Sequence, residues 1–171
     1  GLMNVLTVQG LVLVDHSYST SGLTYTATFE PIGDGLKTVY VHADAFSDLA
    51  GNTNLEVSNT FEWNCDTSAP SVQILSGRNS SGFYSNEDHL DFVVTLSERC
   101  DDFSNDTLVV NGGYVSHFVK ESENKYVGTF MSSETQGLKS IYVAANTITD
   151  IASNFNADPA TLWWNHDTVS P

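Results

Sequence analysis

The chain has 171 residues with six basic and 21 acidic side chains, a formal charge of −15. That balance excludes a basic stripe for nucleic acid and docking onto anionic membranes, and leaves cations, calcium above all, as compatible partners. The length suits one large domain or two small ones, the hydrophobic content of 40% can fill a core, and no apolar run reaches the roughly 18–20 residues of a membrane span.

The hydrophobic period is two throughout, which predicts strands. The first fall near 4–10, 11–18 and 23–30, the last with Tyr25, Ala27 and Phe29 on one face. Two more follow near 36–46, where Val39, Val41 and Ala43 alternate, and near 59–66. Seven come next, near 71–76, 90–98, 107–112, 114–121, 125–131, 138–146 and 160–167. Leu90, Phe92, Val94 and Leu96 share a face in the second of these seven. Gly, Asn, Asp and Ser clusters separate the runs, and no segment has the 3.6-residue period of an amphipathic helix.

The chain repeats itself. Gly35-Leu36-Lys37-Thr38-Val39-Tyr40-Val41 returns as Gly137-Leu138-Lys139-Ser140-Ile141-Tyr142-Val143. The match continues through Asp48/Asp150, Asn52/Asn154 and Asn54/Asn156 to Trp63-Asn64/Trp164-Asn165 and Pro70/Pro171. Two units of one kind are therefore expected: an incomplete one over 1–67 with the last five strands, and a complete one of seven strands over 68–171. Seven short alternating strands in about 100 residues predict an all-β chain of tandem immunoglobulin-like antiparallel sandwiches. The first unit has no counterpart of residues 71–102, so it is expected to lack its two N-terminal strands and to take them from upstream sequence or from another chain. Both ends read as cuts through a longer array.

The residues that carry a family likeness are Val41-His42-Ala43-Asp44-Ala45-Phe46-Ser47-Asp48-Leu49-Ala50-Gly51-Asn52 and Phe61-Glu62-Trp63-Asn64-Cys65-Asp66-Thr67-Ser68-Ala69-Pro70. They resemble the "TDxAGN" loop and "DTxxP" linker of bacterial-type (Bap-like) Ig-like repeats in large surface proteins. The second copy reads Thr149-Asp150-Ile151-Ala152-Ser153-Asn154, with serine in place of the glycine. The resemblance implies fold and tandem repetition. For function it leaves spacers, adhesins and fibre components open.

Within that likeness, Cys65 and Cys100 fall near the linker, where a bridge would lock the units together; the other reading is two unpaired thiols. Asp66, Asp101, Asp102, Asp150 and Asn154, with Asp106 and Asn156 close by, could gather oxygens around calcium, or could be polar loops bonding their own backbone. Asn79 and Asn105 open glycosylation sequons. Trp63 and Trp164 are expected in the core. Trp163 faces outward, as a packing contact or a sugar-stacking surface, and Phe83 and Tyr84 in a predicted loop invite the same two readings. No nucleophile elbow, zinc helix, phosphate loop or Cys-x-x-Cys pair is present, so no enzyme is expected.

The sequence thus predicts a non-enzymatic extracellular or cell-surface module of a longer repeat protein, a stalk, fibre or surface-coat element. Its expected partners are neighbouring Ig-like repeats of the same or an identical chain. The alternative is an adhesin that recognises glycan or a surface protein through its loops.

Overall fold

The computed structural model describes residues 4–19, 23–78, 81–133 and 136–171. Every long element among them is a strand, and no helix among them is long and apolar enough to cross a membrane. The chain divides into two units, Gly1–Ser68 and Ala69–Pro171.

The first unit holds β1 (Leu6–Gln9), β2 (Leu11–Tyr18), β3 (Tyr25–Pro31), β4 (Gly35–Val41) and β5 (Phe61–Cys65). They form a three-stranded sheet in the order β1-β4-β5 and a two-stranded sheet β2-β3, all antiparallel. The ladder of β2 and β3 slips between Leu13 and Asp15, so Val14 is an extra residue that twists the pair.

The second unit holds β6 (Val72–Ser76), β7 (Phe83–Ser85), β8 (His89–Leu96), β9 (Val109–Asn111), β10 (Gly113–Ser122), β11 (Lys125–Ser132), β12 (Gln136–Val143) and β13 (Ala160–Asp167). Its sheets run β10-β11-β8-β6 and β7-β13-β12-β9. The last five strands repeat the pairings of β1 to β5, down to the same slip between Val115 and His117. The sandwich predicted from period-two alternation is therefore present, with two differences in detail. Phe83 and Tyr84, expected in a loop, lie in β7, which pairs parallel to β13. Three strands, not two, thus have no counterpart among the described residues of the first unit. The strands predicted to run to 46 and 146 stop at Val41 and Val143, because Asp44 and Asn146 take left-handed φ of 58° and 57° and turn the chain out of the sheet.

The inner faces of the second unit bury Ile74, Leu90, Phe92, Val94, Leu96, Phe130, Ile141, Leu162 and Trp164. Trp164 stacks on Phe83 at 6.0 Å and meets Phe130 edge-on at 4.7 Å. In the first unit, Leu11 is the buried apolar side chain among the described residues. The equivalents of the core are less covered: Tyr25 is 63% exposed where Tyr126 is 4%, because β8 covers β11 and none of the described residues of the first unit pairs in that place with β3.

One polar residue is buried in both units. The stem of Lys37 runs under Gly10, and its Nζ donates to the carbonyls of Ile32 and Asp34, both at 3.0 Å. Lys139 repeats this under Gly112 and donates to Gln136. A Cβ on Gly112 would stand 2.6 Å from Lys139 Cδ, and the residue's φ is 75°, so only glycine fits there.

Candidate functional site

The loop before the last strand is built twice on the same two side chains. In the second unit, Asn156 is fully buried. Its Oδ1 accepts the amides of Thr147 at 2.9 Å and Ile148 at 3.1 Å, and its Nδ2 donates to the carbonyls of Ala144 at 2.8 Å and Asp158 at 3.1 Å. All four polar valences are used, so Asn156 replaces a piece of sheet for a stretch of chain that has left it. Asp150 closes the turn that follows, accepting the Asn154 amide and side-chain Nδ2, both at 2.8 Å. Burial pushes the Asp150 carboxyl up, but the bonds from Asn154, Ala152 and Ser153 outweigh it and hold it below the usual carboxylate range.

The first unit has the same loop with more water around it. Asn54 bonds Ala45, Phe46, His42 and Glu56 as Asn156 bonds its four partners. Asp48 accepts the amides of Ala50 and Asn52 and the Asn52 side chain, and these bonds hold its carboxyl low. The pattern that resembled "TDxAGN" is thus an Asx-type clamp: the aspartate reads the amides of its own turn.

The other acids expected at calcium also have protein partners. Arg99 holds Asp101 through two bonds, at 2.7 and 3.0 Å, and lowers its carboxyl. Asp102 Oδ2 accepts the Thr149 amide at 2.8 Å and its hydroxyl at 2.9 Å, tying the loop after β8 to the clamp. Asp66 accepts the Ser68 amide at 3.0 Å within the first unit. Asp150 and Asn154 share one turn, and Asp102 reaches that turn through Thr149. Asp101 bonds elsewhere.

Cys65 ends β5, half-buried, and Cys100 is buried; both are thiols here. Burial, aided by the nearby Asp102 carboxylate, pushes the Cys100 thiol up to about 11. Asn79 lies outside the described residues. Asn105 is exposed at the start of a 3-10 turn, Asn105–Thr107, whose Thr107 hydroxyl accepts the Ser104 amide.

Trp163 does face outward, 40% exposed, packed on the Gly82 backbone, which a Cβ would bring within 3.3 Å of its ring. It belongs to a broader surface that alternation alone did not reveal, because β7 was not expected. Three successive rungs of the sheet present Tyr84–Asn165–Leu138, then Trp163–Ser140–Asn111, then Thr161–Tyr142–Val109 on one outer face. None of these nine side chains is charged, in a chain of net charge −15. In the first unit Glu62 stands at the position of Trp163.

A solved Escherichia coli adhesin, FdeC, is similar to the chain at 11% identity with a TM-score of 0.45, over 97% of this chain and 53% of the adhesin's. The chain thus spans about half the length of that structure. No curated protein sequence matches. A family model described as a bacterial Ig-like domain matches residues 66–163, more than half the chain, from the end of the first unit into the last strand of the eight-stranded unit. The chain belongs to the bacterial Ig-like domain family.

Proposed function

We propose that the chain is a non-enzymatic structural module of a longer, surface-exposed array of Ig-like units, in the manner of Bap-like repeats. One observation supports this above others: the parts repeated between the units are those that stiffen a sandwich. The asparagine and aspartate clamps, the buried lysine and the bulge recur in both units. In this reading the side of the first unit beyond β3 is completed by strands from upstream sequence or from another chain. A bridge between Cys65 and Cys100 would stiffen the same linker. Antibodies to the chain are expected to label intact, unpermeabilised cells of the source organism along extended stalks or fibres in electron micrographs. Label confined to the cell interior would overturn the reading.

The uncharged face around Trp163 and Tyr84 favours one second reading, contact with a neutral glycan by stacking and amide hydrogen bonds. It predicts retention on a glycan array that is lost in Trp163→Ala. Binding that survives this change would remove the face from consideration.

A further inference from the structure

The outer face of the sheet β7-β13-β12-β9 carries three aromatic side chains, Tyr84, Trp163 and Tyr142, one on each of three neighbouring strands. Tyr84 and Trp163 are exposed and Tyr142 is half-buried. Their places in the ladder are related. Tyr84 pairs with Asn165, two residues beyond Trp163, and Tyr142 pairs with Thr161, two residues before it. Each aromatic is therefore the diagonal neighbour of the next, and diagonal neighbours on one face stand roughly 7–8 Å apart. Together they make one oblique row about 15 Å long.

A hydrogen-bonding side chain flanks each gap in the row. Asn165 lies opposite Tyr84 and follows Trp163 on the face; Ser140 lies opposite Trp163 and precedes Tyr142. Thr161 stands on the other side, opposite Tyr142. The backbone under the central ring is fixed. The Gly82 amide donates to the Trp163 carbonyl at 2.8 Å, and the Trp163 amide donates to Ser81 Oγ at 3.2 Å. Because Gly82 has no side chain, the indole settles against its backbone.

Charge sets this face apart. The outer face of the opposite sheet carries Asp91 and Lys125, the latter paired with Glu121. In the first unit, Thr38 and Asn64 hold the places of Ser140 and Asn165, but Glu62 stands between them. The centre of the face is thus charged in the first unit and aromatic in the second.

We infer that the row binds a neutral polysaccharide as an extended chain several sugar rings long. Rings of the chain stack at Tyr84, Trp163 and Tyr142, and its hydroxyls bond to Asn165, Ser140 and Thr161. This deepens, and rests on, the neutral-glycan reading above. Sugar rings match the row in kind: their C–H faces meet the aromatic faces, and their hydroxyls both donate to and accept from an amide and two hydroxyls. A single terminal sugar fills one of the three platforms and leaves two empty. A second copy of the chain brings a charge of −15 against −15, so self-association is opposed.

The test is calorimetric titration of the full chain with linear neutral hexasaccharides (cello-, manno-, xylo- and maltohexaose) and with their monosaccharides. At least one hexasaccharide is expected to bind at least about tenfold more tightly than its monosaccharide. Added salt should leave that affinity unchanged, since no charge takes part. Tyr84→Ala, Trp163→Ala and Tyr142→Ala are each expected to weaken it by about fivefold or more. Hydrogen exchange along β13 checks that each variant keeps its sheet. A hexasaccharide that binds no better than its monosaccharide, or that ignores both tyrosine changes, overturns the row and leaves a one-sugar site at Trp163. Glycan-array binding lost in Trp163→Ala, with no hexasaccharide bound, also overturns the row and keeps the neutral-glycan reading. No binding to any hexasaccharide or to the array overturns both. Dimers in sedimentation that disappear in Trp163→Glu give the face to a second copy and overturn the row.

Discussion

Replacing Asn156 by alanine isolates the clamp, because the first unit carries its own control. The substitution leaves the amides of Thr147 and Ile148 and the carbonyls of Ala144 and Asp158 without their partner. Each such bond contributes about 1 kcal/mol net, and an orphaned buried group costs at least that. Since Asn156 is fully buried, the expected loss for the second unit is about 3–4 kcal/mol. For a unit of this size that is about 15–25 °C in Tm. Asn54→Ala removes the same four bonds from a half-exposed loop, where water can replace them, and is expected to cost the first unit about 1 kcal/mol. Urea titration read by hydrogen-exchange mass spectrometry follows each unit through its own peptides, which avoids assuming a single transition. Equal losses in the two units, or a loss below about 1 kcal/mol for Asn156→Ala, would refute the accounting by bonds and burial.

Three further outcomes follow from the same structure. The Asp150 carboxyl is held low, so its contribution is present above the unfolded value of about 4 and is lost as pH falls through the folded one. Asp150→Asn should therefore flatten the acid limb of the second unit's stability below about pH 4, and an unchanged limb would assign it to other groups. Gly112→Ala meets both a positive φ and the Lys139 stem and should cost about 2 kcal/mol or more. Gly137→Ala meets only its φ of 102° and should cost about 1 kcal/mol; thermal melts showing the reverse order would remove the lysine from the explanation. Finally, with its thiol near 11 and buried, Cys100 in the reduced chain should alkylate with iodoacetamide at pH 8 at least about tenfold more slowly than Cys65. Comparable rates would mean that the site opens readily.

Much of this was legible because sheet periodicity and repetition are local signals. Leu90, Phe92, Val94 and Leu96 announce a buried face by alternation alone, and all four are in the core. β7 was not legible, since three residues are too few to show a period, and its place depends on parallel pairing with a strand some eighty positions away. The loop aspartates were recognised as polar turn residues, but Asn156 was met only as a neighbour of acids. Its role depends on four backbone groups aimed at one amide, which no spacing encodes. Lys37 and Lys139 stood in plain view in the repeated heptapeptide, and a lysine in an alternating strand reads as solvent-facing until its carbonyl partners are known.

The parallel pairing of β7 with β13 also bears on how the second unit answers a pull. A tether drawn from the N-terminal side of β7 and the C-terminal side of β13 drags two parallel strands in opposite directions. Phe83–Ser85 and Trp164–His166 are then loaded together as a shear patch, with the Phe83 and Trp164 rings interlocked behind it. An antiparallel hairpin pulled at its open end yields one rung at a time. A unit loaded in this way resists until the whole patch gives, which is the behaviour a load-bearing stalk requires.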